Sequence, residues 1–355
     1  MVKRHRARRH GFNLLELLVV VALITLLLST LLPSLSVVRA QATATVCLSN
    51  LKNLGNAQHG YQTVENGYIP GSPLTSGYPL AHVGSAPPAE AGTWRIGMPL
   101  NTFDYATPLL QHMNIALPRG GTPADVRRRC FPITTAEPFH CPANRQVAEA
   151  WAPSGVPADY RTLMIRAPSY LTMNTMMRGG PAMYDRYTNG SLALVAGVLP
   201  WDMAQPTADQ YAQTIVDVPA GYFPRIERVG RAAMKVFLAD GTRFVDSASQ
   251  QITYNIRTAD FAGYHSAEPP CDYRNGTPNE YVRGKAFAYR HGRGTVINAL
   301  MFDGHAEPLR AEWGSPGQAT GPAVDPKHYF PTGSVVRGHD KLFLRDVYRP
   351  GAVLP

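Results

Sequence analysis

Residues 17–32 read LLVVVALITLLLSTLL, sixteen residues in a row without a charge. The apolar stretch lengthens at both ends if Phe12–Leu15 and Pro33–Val38 are included. At 1.5 Å per residue, about 20 such residues cross the hydrocarbon core of a bilayer. A membrane helix over 12–38 is therefore the first constraint on this chain. One residue resists it. Glu16 stands inside the apolar stretch, five positions after Gly11, and a carboxylate in a membrane helix costs on the order of 2.5–3.5 kcal/mol. It should have a partner, or else reach the headgroups from near the helix end.

The charges agree with a membrane orientation. Of a net charge of +9, five positives (Lys3, Arg4, Arg6, Arg8 and Arg9) precede the apolar run. A basic patch ahead of a hydrophobic helix marks its cytoplasmic side. Beyond it no basic cluster interleaves with aromatics, which excludes a phosphate-tracking nucleic-acid binder. Two simpler readings stay open at this point. Val38-Arg39-Ala40-Gln41-Ala42 imitates a signal-peptidase site, as in a cleaved secretory signal, and an uncleaved signal anchor fits the same run.

After the run the pattern becomes amphipathic. Ala42, Val46, Leu51, Leu54 and Ala57 recur at spacings of three to five, which predicts a helix continuing to about Tyr61. Pro33 should kink it, having no N–H to give and a ring that clashes with the preceding turn. The remaining body, 65–355, holds most of the 31 Gly and 31 Pro, which indicates a loop-rich domain. Residues 70–93 read as irregular connection. Two segments echo each other: Lys235-Val-Phe-Leu-Ala-Asp240-Gly241 and Asn298-Ala-Leu-Met-Phe-Asp303-Gly304. Each reads as an apolar strand ending in a turn-forming Asp-Gly. The expectation is an α+β fold with an antiparallel sheet packed on the amphipathic half of the helix.

Catalytic signatures are absent. Ser169 lacks a Gly-x-Ser-x-Gly context, and there is neither a His-Glu-x-x-His motif nor a phosphate loop. His140 beside Cys141 reads as a structural loop. His291, Asp303 and His305 form a candidate metal or acid–base set, although turn geometry alone accounts for an Asp before Gly.

The junction Gly11-Phe12-Asn13-Leu14-Leu15-Glu16-Leu17-Leu18 closely resembles the processing site of type IV prepilins and type II secretion pseudopilins, with Asn13 where Thr is commoner. Pro33 falls where that family often carries a kinking proline. A second resemblance, to a large bacterial subgroup of pseudopilin-like proteins, runs through Cys47-Leu-Ser-Asn-Leu-Lys-Asn-Leu-Gly55, then His140-Cys141-Pro142-Ala143-Asn144, Ser169-Tyr170-Leu171-Thr172-Met173-Asn174 and Arg290-His291-Gly292 … Asp303-Gly304. The subgroup's closing motif is His, nine residues, Asp-Gly, whereas eleven residues separate His291 from Asp303 here.

These resemblances imply a non-enzymatic, pilin-like structural subunit, built as a leader (1–11), an assembly helix (12–38), its amphipathic continuation (39–64) and a periplasmic domain (65–355) whose closing motif lies near 285–310. A prepilin peptidase would cut between Gly11 and Phe12, and the new Phe12 amine would be N-methylated. That amine would then be matched by Glu16 of a neighbouring subunit in the filament. The implied partners are the peptidase, other pilin-like subunits, inner-membrane lipids and a secretion or pilus assembly platform, with no nucleic acid. No cofactor is required. Calcium is the metal the resemblance would bring, to Asp303, His305 and His291. The implied location is the bacterial inner membrane, single-pass, with the N-terminus cytoplasmic. In an oxidising periplasm the four cysteines would form two disulfides in one of three connectivities. A helix-to-body staple favours Cys47 with Cys141, leaving Cys130 with Cys271. The rival reading is a membrane-anchored periplasmic binding or enzymatic domain that does not polymerise.

Overall fold

The computed structural model describes residues 13–71, 105–116, 132, 135–144, 147–151, 164–166, 169–172, 174–177, 216–241, 251–253, 270–271, 286–287, 289–312, 324–336 and 348–355. Two units divide it, one up to Thr43 and one from Ala44 to Pro355.

Helix α1 spans Leu14–Val64, and Asn13 caps its start. The Asn13 side-chain oxygen accepts from the Leu15 N–H (3.4 Å), while Glu16 Oε2 accepts from the Asn13 N–H (3.1 Å). This reciprocal pair is a capping box in which two otherwise orphaned N–H groups are satisfied. Through the first unit the helix is uncovered. Leu14, Leu15 and the large apolar residues up to Val38 are all exposed. Its hydroxyls are closed internally: Thr25, Ser29, Thr30, Ser34 and Ser36 each donate to a carbonyl one turn back. No hydroxyl in this stretch is left facing outward unbonded, as a helix in hydrocarbon requires. Helical structure continues through Pro33. The helix is long and apolar enough to cross a membrane.

In the second unit α1 buries Cys47, Leu51, Leu54, Gly55, Ala57, Gln58, Tyr61 and Gln62. The expected stripe is thus displaced at its start: Ala42 and Val46 are exposed. Val46 lies one residue, about 100° of helical rotation, from the Cys47–Leu51–Leu54 face. The other elements are α2 (Ala106–His112), β1 (Val147–Trp151), β2 (Met164–Arg166), β3 (Tyr170–Thr172), α3 (Asn174–Met177), β4 (Val216–Asp217), β5 (Val236–Asp240), β6 (Gln251–Thr253), β7 (Pro270–Cys271), β8 (Ala286–Phe287), β9 (Val296–Met301), β10 (Ala306–Arg310) and β11 (Val335–Val336).

The main sheet is antiparallel throughout, in the order β10-β9-β5-β3. The fold is therefore α+β. A second sheet runs β2-β1-β6, and β11–β4 and β7–β8 form two-stranded pairs. Every residue of β5 and β9 is buried, so these central strands are covered on both faces. One cover is α1. A Cβ on Gly55 would lie 2.9 Å from Leu300 Cδ1 and 3.0 Å from the Gly304 carbonyl, so only glycine allows the helix this close to the β9–β10 hairpin. An aromatic layer of Tyr105, Phe139, Phe237 and Phe302 completes the core, with Phe237 against Tyr105 at 5.9 Å and Phe302 at 5.3 Å between ring centroids.

The two Asp-Gly segments diverge. Asp303-Gly304 forms the β9–β10 turn, with Gly304 at φ +84° and the His305 N–H bonded to Asp303 Oδ1. Its carbonyls face α1: Gln58 donates to Phe302 O, His59 Nε2 bonds Asp303 O and Lys52 donates to Gly304 O. Asp240, by contrast, is the last residue of β5, fully buried and paired across to Tyr170. The chain beyond Gly241, where the expected turn would lie, is outside the described residues until β6. The Asp240 side chain points into the site described next.

Candidate functional site

The stretches singled out around Cys47, Cys141, Ser169–Tyr170 and Arg290–His291 converge on one buried point beside Asp240. Cys47 arrives on the buried face of α1. Cys141 follows a single turn of 3-10 helix, Glu137–Phe139, held against α1 by Asn50, which donates to the Glu137 and His140 carbonyls. Asp240 ends β5. His291 begins the approach to β9, fixed by backbone hydrogen bonds with Val296 in both directions. The four side chains are between 0 and 6 % exposed, and one donor atom from each lies within 4.8 Å of every other.

The contacts form a closed ring. His291 Nε2 lies 3.2 Å from Asp240 Oδ2 and 3.5 Å from Cys141 Sγ. Cys47 Sγ lies 3.5 and 3.8 Å from the two Asp240 oxygens. Around this ring stands a second layer. The Asn298 N–H donates to Asp240 Oδ2 at 2.8 Å and Arg290 Nη1 to Oδ1 at 3.2 Å. Tyr170 Oη donates to Cys47 Sγ at 3.1 Å. Arg290 also donates to the Ser169 and Gly241 carbonyls, and Asn144 donates to Ser169 Oγ at 3.0 Å.

Protonation follows from this packing. Burial, reinforced by Cys141 and the Asp240 charge, pushes the Cys47 thiol far up. A hydrogen bond from Cys47 outweighs burial at Cys141 and, with help from His291, brings it down to about 6. At His291 burial opposes the charged ring, but hydrogen bonds to Asp240 and Cys141 prevail and raise it to about 9. The arrangement thus stabilises a thiolate and an imidazolium side by side. Buried as they are, a set of this kind can hold an ion or pair its sulfurs.

No known protein family, characterised protein or solved structure matches the chain.

Of the other sequence candidates, Gly11 and Phe12 lie outside the described residues, and Glu16 is exposed in the first turn of α1. Asp303 and His305 meet at the β9–β10 turn, Nδ1 to Oδ1, with Glu307 3.7 Å from His305 Nε2. His291 does not join them. The six residues of β9 stand between, roughly 17 Å of strand, so the three-residue set expected for calcium does not assemble. Cys47 and Cys141 are brought together as free thiols. Cys130 lies outside the described residues, and only the backbone of Cys271, in β7, is described. Sequence reasoning missed Asp240 as a site residue. Its one signal was an acid closing a wholly apolar strand.

Proposed function

We propose that this chain is a pilin-like structural subunit, without catalytic activity, that is processed after Gly11 and assembles through its apolar helix into a type II secretion or type IV pilus-like filament. The observation that carries this reading is the uncovered face of α1. From Leu14 to Val38 its large apolar residues are exposed, and Glu16 is the single charge among them. In a bilayer such a surface is covered by lipid, and in a filament by the same surface of neighbouring subunits, where packing and polar pairing replace the hydrophobic drive. Glu16 would then meet the Phe12 amine of the next subunit. The processing motif supplies that amine, with the peptidase in the bacterial inner membrane and the basic leader on its cytoplasmic side.

The capping box favours a second reading. A carboxylate that closes its own helix start at 3.1 Å has a local task, as it would in a membrane-anchored body that never polymerises. The deciding measurement is the mass of the N-terminal peptide from protein taken out of its native membrane. The filament reading expects a chain beginning at methylated Phe12. A chain still carrying Met1 or Val2 overturns it.

A further inference from the structure

We propose that Cys47, Cys141, Asp240 and His291 form a closed, four-coordinate site for a zinc-class divalent ion that fastens helix α1 to the body.

The distances are the first argument. Zinc bonds sulfur at about 2.3 Å and nitrogen or oxygen at about 2.0–2.1 Å, usually in a tetrahedron. The edges of that tetrahedron come to about 3.3 Å for N···O and about 3.5 Å for N···S and O···S. The observed edges are 3.2 Å for His291 Nε2 to Asp240 Oδ2, 3.5 Å for His291 Nε2 to Cys141 Sγ and 3.5 or 3.8 Å for Cys47 Sγ to the Asp240 oxygens. Hydrogen bonding alone does not require four donors from four separate segments to surround one point.

The second argument is the layer behind the ligands. Metal-binding groups are held by outer hydrogen bonds that orient them. Asp240 has the Asn298 N–H and Arg290, and Cys47 has the Tyr170 hydroxyl. The third is charge. Two thiolates and one carboxylate against a divalent ion leave one negative charge, and the Arg290 guanidinium, 9 % exposed, offsets it. A buried centre that closes to neutrality avoids the cost of an uncompensated charge. A disulfide would use the two sulfurs and leave Asp240 to Arg290, the Asn298 N–H and His291. With all four ligands buried and no open position, the site is structural rather than catalytic. Soft thiolates beside an imidazole select zinc over calcium or magnesium.

The test uses the full chain in detergent. Elemental analysis of protein purified without chelator should return one zinc per chain. After chelation under reducing conditions, cobalt(II) should titrate in at one equivalent, with the visible absorption of a tetrahedral ion and a thiolate charge-transfer band. Tyr170→Phe, which keeps the ring and removes the bond to Cys47, should weaken zinc binding by about 10- to 100-fold, and Cys47→Ser should abolish the charge-transfer band of one thiolate. The wild-type titration decides the matter even if a variant fails to fold. Zinc-free protein whose unreduced mass is two hydrogens low, and which takes up no cobalt after reduction, overturns the proposal in favour of a Cys47–Cys141 disulfide. Octahedral cobalt without thiolate bands overturns it too. None of these results bears on whether the chain is processed at Gly11.

Discussion

Replacing Glu16 by glutamine separates the two tasks the carboxylate can perform. Glutamine fits the reciprocal position of a capping box as well as glutamate does, so Glu16→Gln keeps the bond to the Asn13 N–H while removing the charge. Glu16→Ala removes both. Loss of the cap alone costs on the order of 1 kcal/mol, and in a helix of 51 residues that frays only the first turn. Loss of the charge is larger where the carboxylate meets an amine away from water. Breaking a buried ion pair from one side costs about 3–5 kcal/mol, which at 1.4 kcal/mol per tenfold is roughly a hundredfold to a few thousandfold in subunit affinity. The assay is the share of the chain in sheared, sedimented filaments against the share in the membrane, with the N-terminal mass confirming equal processing. Both variants should insert and be cut normally, and both should fall below detection in filaments. If Glu16→Gln assembles like the native chain while Glu16→Ala does not, the residue acts as a cap and the inter-subunit pairing is refuted.

Gly304→Ala places a Cβ at a φ of +84° and 2.2 Å from His59 Nε2. Left-handed strain and the lost His59 bond to Asp303 O together should destabilise the body by about 2–3 kcal/mol, read as a lower denaturant midpoint. Lys235, 1 % exposed, is held by the Lys327 and Pro355 carbonyls. Burial, partly countered by Asp325, brings its ammonium from 10.5 down to about 8. The unfolded chain therefore holds this proton over a range where the folded chain has lost it, and stability should rise with pH between about 8 and 10.5, by up to about 3 kcal/mol. Lys235→Met should remove that rise, and parallel pH curves for the two proteins would refute it. Chelation of the zinc-loaded, reduced chain should lower its unfolding temperature, restored by zinc but not by calcium. At a thousandfold excess over Kd the coupling is about 4 kcal/mol.

Much of this could be read from residue order, and the failures have physical causes. The apolar helix, the two strands at 236–240 and 296–301 and the Asp303-Gly304 turn rest on local periodicity and turn chemistry, which neighbours in sequence determine. The buried face of α1 was misjudged at its start because apolarity made Val46 attractive, whereas the sheet contacts the neighbouring face, through Cys47. The Asn13–Glu16 cap was legible as Asn-x-x-Glu, yet an acid in an apolar run draws attention to its charge and away from its geometry. The Cys47–Cys141–Asp240–His291 cluster was not legible at all as a set. Its members lie up to 244 positions apart in the numbering, and only the packing of α1 and the Glu137–Phe139 turn against the β5–β9 sheet brings them together. The resemblance marked three of the four segments and omitted the carboxylate.

Two acids in apolar surroundings show how the body and the bare helix differ. Asp240 finds every partner within its own chain: Arg290, the Asn298 N–H, His291 and the Cys47 thiol. Glu16 accepts one backbone N–H, and among the described residues no cation lies within ion-pair distance of it. In water that is unremarkable, since solvent supplies the rest. In hydrocarbon it is not, because one N–H at 3.1 Å does not compensate a full negative charge. One acceptor site of Glu16 is satisfied locally, and if the helix lies in hydrocarbon its charge has to be met from outside the described residues. The Phe12 amine of a second subunit would meet it at the right depth, and lipid headgroups would meet it only if the helix start lies at the interface. That difference in depth is what the Glu16→Gln measurement reads.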